Sequence, residues 1–401
     1  MQQNRLWTKD YIMVMISNFS AAFSYSAFVT ILALYVNEIG GDNSLAGLMA
    51  GGMTIMMMLT RPIFGRLLDL VGRKSMVYAG GILFALNTIA YNFAFSLPVL
   101  TVIRIVHGIS QGLYIVSTST LVADIVPEER MVEGIGIFGV SGSIAGALGP
   151  MIGLFIYEAF GAQVLFLFMS VFSSLGAVAA MLIHIQPLER SETAAEENTK
   201  VGMKSFLAGL IEPSALAPGC IMLFTLLGYS AAQNFLSTCG LERGIGSVSL
   251  YFTISSAAMI VVRFITGKLI FRFGHFKLIL MGLGLCCASF LVIAFAQSLG
   301  VLIFAGILYG TGNGLLYPIL QTLVFQLCPI DKRGSANATY GLMQDMGTGI
   351  GSALWGAVSV AGGYTLTYLC AAACVAFGAA FHTSVFRKKL RNRPSSQVIA
   401  K

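Results

Sequence analysis

The chain has 401 residues, of which 56% are hydrophobic and only 10% are charged. A soluble domain carries roughly 25% charged residues, so this chain lacks the polar surface of a water-soluble globule. The formal net charge of +7 would suit a nucleic-acid partner, but the basic residues lie in alternate loops between apolar runs. The composition therefore predicts an all-α polytopic membrane protein in a lipid bilayer, with no nucleic-acid partner.

Twelve apolar segments follow one another along the chain, and most reach the ~20 residues that cross the hydrocarbon core as a helix. The predicted spans are 10–36, 45–68, 75–94, 97–125, 132–157, 163–185, 212–237, 247–271, 276–296, 299–326, 334–359 and 363–386. The first span follows basic residues as a signal peptide would. It is too long for one, so we interpret it as a retained helix.

The placement of charge orients these spans. Basic residues occur at the N-terminus and at 61–74, 190–204, 263–277, 332–333 and 387–393, whereas the turns at 92–98 and 297–300 are uncharged. Because cytoplasmic loops carry the excess of Lys and Arg, both termini are predicted to be cytoplasmic.

A polar stretch divides the chain at its middle. QPLERSETAAEENTKVGMKS, at 186–205, is mixed in charge and poor in aromatic residues, which is typical of a linker. The sequence therefore predicts an N-terminal six-helix bundle at 1–185, a cytoplasmic linker at 186–211, and a C-terminal six-helix bundle with a basic tail at 212–401.

The two halves repeat each other at a fixed offset. Arg61 opens RPIFG and Arg263 opens RFITG, and 263 − 61 = 202. The same shift relates Gly65 to Gly267, Gly72 to Gly274, Gly108 to Gly310, Gly112 to Gly314, Pro127 to Pro329, and Gly149 to Gly351. Glycine and proline stand where backbone geometry or close helix approach requires them. The chain is therefore predicted to be a parallel duplication of six helices with pseudo-two-fold symmetry.

GRLLDLVGRK, at 65–74, concentrates charge after the second span and resembles the G-x-L-x-D-x-x-G-R-K signature of the major facilitator superfamily. This resemblance covers essentially the whole chain and implies that family's fold of 12 transmembrane helices in two bundles. It also implies a conformational latch of the outward-facing state, formed by Gly65, Asp69, Gly72, Arg73 and Asp124. Asp69 would meet the positive end of a helix from the other half, and Arg73 would pair with Asp124. The second copy has Phe271 in place of Asp69, so the latch is expected on one side only.

RIVHGISQG, in the span 97–125, resembles the R-x-x-x-G-x-x-x-G pattern of proton-coupled members of the family. Arg104, His107, Gln111 and Tyr114 share one helix face. A charge inside a span usually faces a cavity or a partner, so Arg104 and His107 are assigned to proton coupling; an outer-end arginine and a packing histidine are the alternatives. The G-x-S-x-G at 108–112 lies within an apolar span, not at a strand-to-helix turn, so no catalytic residues are predicted.

GSIAGALGPMIG, in the span 132–157, resembles the antiporter signature G-x-x-x-G-P-x-x-G-G, except that Leu154 replaces the last glycine. The motif residues are Gly142, Gly146, Gly149, Pro150 and Gly153. A Gly-Pro pair bends a helix, and a glycine face lets a neighbouring helix approach closely. In the family this signature accompanies export, although generic small-residue packing would give a similar pattern.

Asp345, in the span 334–359, lies about a dozen residues beyond a basic turn and hence near the bilayer centre at ~1.5 Å per residue. A carboxylate at that depth favours its protonated form, which lets a proton load and leave. The run D-x-G-x-x-x-G from this residue looks like that of a sugar- and metallophore-efflux branch of the family. Asp345 is therefore assigned to proton coupling, with a polar tie to another helix as the alternative.

Polar and aromatic residues in several spans are candidates for an amphipathic substrate cavity. They are Asn18, Tyr25, Gln111, Tyr114, Tyr229, Gln233, Asn234, Tyr309, Asn313, Tyr317 and Gln344. Each of them could instead be a hydrogen-bonded packing residue. The sequence contains no cluster with metal-ligand spacing, so neither a metal nor a cofactor is predicted.

The sequence therefore favours a proton-coupled antiporter that exports a small organic molecule by alternating access, related to drug-resistance efflux proteins. The alternative is a proton symporter that imports a sugar or an organic anion; a channel and a membrane enzyme are two further classes. The resemblance implies a monomer in the bacterial cytoplasmic (inner) membrane, with a small-molecule substrate and protons as its partners.

Overall fold

A computed structural model describes residues 6–184, 206, 207 and 209–386. The regular structure of these residues is helical, and nine of the helices within them are long and apolar enough to cross a membrane. The sequence-based prediction of an all-α polytopic membrane protein is therefore confirmed. Most of the predicted linker, 186–211, and the basic tail lie outside the described residues.

The nine long helices begin and end close to the predicted spans. They are α1 (Lys9–Glu38), α2 (Asn43–Val71), α3 (Arg73–Ala90), α4 (Leu97–Ile125), α5 (Met131–Met181), α6 (Pro213–Glu242), α7 (Ser249–Ala294), α8 (Leu299–Leu327) and α9 (Arg333–Phe381). Two of these helices, α1 and α2, begin at a residue whose side chain caps the helix. Thr8 Oγ1 accepts a hydrogen bond from the backbone N–H of Tyr11 at 3.2 Å, and Asp42 Oδ1 accepts one from that of Leu45 at 2.7 Å.

Three of these helices are interrupted by a glycine with non-helical backbone. Gly161 in α5, Gly274 in α7 and Gly363 in α9 have φ of 83°, 74° and 71°. Residues with a side chain rarely adopt this conformation, so glycine permits a sharp corner here. Gly161 and Gly274 fall between two predicted spans and Gly363 begins the last one, and Gly161 and Gly363 are 363 − 161 = 202 residues apart. Gly72, with φ of 108°, stands 202 residues before Gly274.

The chain divides into two compact units. The first comprises Met1–Glu212 together with Cys328–Thr339, and the second comprises Pro213–Leu327 together with Tyr340–Lys401. The segment Cys328–Thr339, which contains the first turns of α9, thus belongs with the N-terminal part of the chain. Within the first unit, residues that are distant in sequence therefore contact each other.

The same glycine contacts occur in each unit. In the first unit, a methyl group at Gly108 would collide with the Met53 carbonyl oxygen, so α4 crosses α2 at backbone contact there. In the second unit, a methyl group at Gly310 would collide with the Ser255 carbonyl oxygen of α7. Both members of this pair are related by the offset of 202, since 255 − 53 = 310 − 108 = 202. The duplication seen in the sequence is therefore also present in helix packing.

An aromatic core fills the first unit beside α4. Phe28 of α1 packs against Tyr91 with ring centroids 4.2 Å apart and against Phe166 at 5.8 Å. All three side chains are at most 1% exposed. The polar face of α4 packs against this aromatic core.

The glycine contacts generate a stability prediction. Gly310→Ala should lower the thermal stability of the detergent-purified protein by about 1–3 kcal/mol, because overpacking forces the backbones of α7 and α8 apart. The matched control is Gly284→Ala on α7, where a methyl group would meet no described atom within 4 Å. That change should be neutral or stabilising, since alanine favours helix over glycine. Equal melting temperatures for the two variants would contradict the close contact of α8 with α7 at Gly310.

Candidate functional site

The end of α2 carries a buried carboxylate with several donors. Asp69 Oδ1 accepts hydrogen bonds from the backbone N–H of Gly334 and from Arg73 Nη1, both at 2.8 Å. Asp69 Oδ2 accepts from the backbone N–H and the hydroxyl of Ser335, both at 2.7 Å. Because Gly334 and Ser335 lie in the first turn of α9, the carboxylate occupies the positive end of that helix.

Arg73 and Asp124 extend this contact into a chain of alternating charges. Arg73 Nε donates to Asp124 Oδ2 at 2.9 Å, and Arg333 Nη1 donates to Asp124 Oδ1 at 2.9 Å. Arg73 Nη2 also donates to the Ile330 carbonyl at 3.0 Å. Two carboxylates and two guanidinium groups therefore share one network, in which each buried charge has an opposite neighbour. We call these four side chains and Ser335 the latch network.

The glycines beside the network make room for it. A methyl group at Gly65 would lie 2.7 Å from the Gly334 carbonyl oxygen, closer than carbon and oxygen approach without a bond. Gly72 takes its positive φ directly after α2, between Asp69 and Arg73. Phe271, which replaces Asp69 in the second copy, is 71% exposed. The function of these residues as a conformational latch remains a prediction.

Sequence reasoning missed three members of this region: Arg333, Ser335 and Asn337. Asn337 Nδ2 donates to Ser119 Oγ at 2.6 Å and to Thr120 Oγ1 at 2.9 Å, which joins α9 to α4. The available signal was the hydroxyl run STST at 117–120, since such residues in a span need hydrogen-bond partners. Nothing in the sequence showed which helix would supply the partner.

Arg104 and His107 form a second polar group on α4, and each side chain is only 1% exposed. The guanidinium of Arg104 stacks on the Phe28 ring at 5.3 Å, and the Tyr91 hydroxyl lies 2.7 Å from His107 Nδ1. Tyr25 meets the His107 ring edge-on, with centroids 5.9 Å apart. Arg104 therefore lies inside the first unit, which disagrees with the alternative of an arginine that extends to the membrane surface.

Other predicted cavity residues of the first unit hold helices together. Tyr114 on α4 hydrogen-bonds Ser17 on α1 at 2.5 Å. Asn18 Nδ2 donates to Ser141 Oγ at 2.9 Å, which joins α1 to α5. Gln111 is buried on the face of α4 that carries Arg104. Their contribution to a substrate cavity remains a prediction.

The second unit combines aromatic rings with one buried cation. Tyr229 of α6 stacks on Tyr309 of α8 with centroids 4.6 Å apart and an interplanar angle of 10°. Arg263 of α7 is 5% exposed and lies over the Tyr317 ring at 5.0 Å. We did not select Arg263 from the sequence, although a charge inside the predicted span 247–271 was the signal that could have identified it.

The remaining candidates of the second unit lie on α6, α8 and α9. Asp345 is partly buried, and its carbonyl accepts a hydrogen bond from Thr348 Oγ1 at 3.1 Å. Asn234 Nδ2 donates to Ser352 Oγ at 3.1 Å. Asn313 is buried, Gln344 is partly buried and Gln233 is exposed. Proton coupling by Asp345 remains a prediction.

The glycine motif of α5 is not uniform. Methyl groups at Gly149 and Gly153 would lie 2.7 Å from Ser26 Cβ and 2.9 Å from Ala27 Cα, so α5 crosses α1 at backbone contact. A methyl group at Gly146 would meet no described atom within 4 Å. Gly146 is four residues before Pro150, where the proline ring would crowd the helix backbone. Close helix packing therefore belongs to the C-terminal part of the motif.

Comparison with known proteins identifies the family. The profile of the Major Facilitator Superfamily matches residues 14–352 and 219–399. The chain belongs to the major facilitator superfamily. The resemblance found in GRLLDLVGRK is thereby confirmed, and the protein is a multi-pass membrane transporter, not an enzyme.

Relatives in this superfamily match along almost their entire length. The staphylopine export protein of Staphylococcus aureus is 24% identical over 94% of this chain and 95% of its own. The multi-drug resistance efflux pump PmrA of Streptococcus pneumoniae is 26% identical over 96% of this chain and 98% of its own. Among solved structures, the fucose:proton symporter FucP of E. coli shares the fold with a TM-score of 0.79, at 16% identity, over 97% of this chain and all of its own.

The latch network generates a prediction on the exchange of backbone amides. Asp69→Asn removes the charge that Gly334 and Ser335 face, and loss of one member of a buried charged group destabilises strongly. Hydrogen–deuterium exchange in peptides covering 330–337 should therefore become about 100-fold faster. The matched control is Glu133→Gln, which breaks the more exposed pair of Glu133 with Arg130 and should leave that segment unchanged. Unchanged protection of this segment in Asp69→Asn would contradict the prediction that Asp69 holds the start of α9.

Proposed function

We propose that this transporter is a proton-coupled exporter of a small organic molecule and works by alternating access. The observation that carries the proposal is that the relatives matched over almost their full length are named as an export protein and a multidrug efflux pump. Their identity of 24–26% supports the direction of transport but not a particular substrate. We further propose that the protein functions as a monomer.

The proposed membrane arrangement has twelve spans, because α5, α7 and α9 each contain an interruption and are long enough to cross twice. The alternation of basic loops supports cytoplasmic termini and a bacterial inner membrane. In this arrangement the latch network lies at the cytoplasmic ends of α2 and α4. The latch would stabilise the outward-facing state. Release of the first turns of α9 from Asp69 would then accompany the transition from the outward-facing to the inward-facing state.

The contact of α5 with α1 supports proton-coupled transport. Gly149 and Gly153 bring two helix backbones together without side chains between them. Such a contact excludes water and therefore resists proton leak through the first unit. A proton-coupled transporter needs this seal, because protons that cross without substrate would dissipate the gradient.

Protonation of Asp345 is the proposed coupling step. A carboxylate inside a span changes its charge when it binds a proton, and the loss of that charge lowers the free energy of holding it in the membrane. Arg104 supplies a fixed positive charge in the other unit. The proton would bind Asp345 from outside and leave inside, while the substrate moves outward.

The second candidate is a proton symporter. The observation that favours it is a buried arginine that could bind an anion, and FucP, a fucose:proton symporter, shares the fold. At 16% identity this likeness supports the fold alone. The direction of accumulation separates the two candidates.

Asp345→Asn should abolish transport driven by a pH gradient while leaving substrate exchange largely intact. Exchange requires no net release of protons, and asparagine preserves the shape of the side chain. The measurement is uptake into proteoliposomes of a substrate found by counterflow screening, with and without a gradient. Glu158→Gln, at an exposed position of α5, serves as the control. Gradient-driven transport that persisted in Asp345→Asn would refute the coupling role.

The direction of transport can be tested together with the seal. Inverted vesicles with an acid interior should accumulate substrate, and Gly149→Leu should abolish this accumulation because the leucine separates α5 from α1. Gly146→Leu, where the structure leaves space, should retain most of the activity. Accumulation only in right-side-out vesicles with an acid exterior would establish the symporter instead.

A further inference from the structure

Among the described residues, three side-chain nitrogens on the buried face of α4 have no hydrogen-bond partner. Arg104 and His107 are each 1% exposed. Within the described part of the chain, Arg104 Nε, Arg104 Nη1 and His107 Nε2 have no hydrogen-bond partner. A buried polar group without a partner is strongly unfavourable, so such groups in native proteins usually serve a ligand or ordered water.

The contact with Tyr91 determines which nitrogen of His107 carries the hydrogen. The hydroxyl lies 2.7 Å from His107 Nδ1 and also lies beside the Arg104 guanidinium. Because the cation attracts the oxygen lone pairs, the O–H bond points away from Arg104 and donates to Nδ1. Neutral histidine then carries its hydrogen on Nε2. All three unpartnered groups are therefore donors.

Four carboxylates of the first unit are engaged in contacts with groups other than Arg104. Asp69 and Asp124 belong to the latch network, Glu38 accepts from the Tyr157 hydroxyl, and Asp10 accepts from the backbone N–H of His184. None of the ion pairs among the described residues includes Arg104. Within the described part of the first unit, the Arg104 guanidinium thus has no carboxylate paired with it.

The surroundings of these donors are aromatic. Phe28 lies under the guanidinium, and Phe84 meets the His107 ring edge-on with centroids 5.4 Å apart. Tyr25 is also edge-on to this ring. Aromatic faces and edges pack well against planar groups of a ligand. Donors next to such walls suit a planar organic molecule with an acidic group.

We propose that Arg104 and His107 bind the acidic group of the transported molecule, so that the substrate class is an organic acid with a carboxylate next to a planar ring. Arg104 would donate a charge-assisted hydrogen bond to the carboxylate from Nε–H or from Nη1–H, which point in different directions. His107 Nε2–H adds a further donor, and Tyr91 is a positioning residue that fixes the histidine. This inference rests on the proposed function for the direction of transport, but the binding step does not depend on it.

The test compares two probes of the same shape, 2-naphthoate and 2-naphthamide. Their binding to the purified full chain in nanodiscs is measured by calorimetry at neutral pH without a gradient. Wild-type protein should bind the acid about tenfold or more tightly than the amide, because hydrogen bonds to charged groups are the stronger ones. Arg104→Gln and His107→Gln should reduce that ratio toward one, and Arg104→Lys should reduce it partly.

Control variants separate a binding role from a structural one. Arg130→Gln removes an arginine of the more exposed pair with Glu133 and should leave the ratio unchanged. Tyr91→Phe keeps the ring but frees His107, so it should lower affinity for the acid while affinity for the amide stays the same. Retained binding of the amide shows that a variant is folded.

The outcomes distinguish this inference from the proposed function. An importer would still prefer the acid, so accumulation in the wrong direction leaves this inference intact. A wild-type protein that binds both probes equally, or binds neither at millimolar concentration, overturns it. Equal acid preference in wild type and Arg104→Gln also overturns it, since another group would then hold the carboxylate.

Discussion

The hydrogen bonding of the Asp69 carboxylate is the interaction on which the arrangement of helices at this end of the first unit depends. A buried carboxylate needs donors, and Asp69 obtains them from the backbone of Gly334 and Ser335, about 265 residues further along the chain. These bonds hold the start of α9 against α2, and this placement allows Arg333 to meet Asp124. If the carboxylate lost its charge, the same helix end would lose the anion that its free N–H groups require.

Helix packing in both units depends on a second constraint, the absence of side chains at the crossings. In a membrane, association relies on close van der Waals contact and hydrogen bonds because lipid is as apolar as leucine. Gly108 and Gly310 satisfy this need against α2 and α7 at positions 202 residues apart. The repeated contacts show that the duplication preserved backbone geometry even where side chains diverged.

The sequence was sufficient to predict the helices, their approximate ends and the family, because hydrophobic length and glycine spacing are local properties. It also indicated the pairing of Arg73 with Asp124 through the family resemblance. It could not identify Ser335, Asn337 or Tyr91 as partners, since those contacts join helices whose relative rotation is set by packing. The motif also gives Gly146 and Gly149 the same status, but only Gly149 meets a neighbouring backbone. This difference depends on the relative rotation of α5 and α1, which the sequence does not show.

Three positions assigned to transport differ in chemistry between the two copies. Under the offset of 202, Arg104 corresponds to Gly306, His107 to Tyr309, and Asp345 to Ser143. The first unit thus retains a buried cation, and the second retains a carboxylate within a span. A charge in such a position is unfavourable in hydrocarbon and contributes nothing to the repeated packing. The proposed roles, binding of the substrate by Arg104 and of a proton by Asp345, would account for the presence of each charge in one copy only.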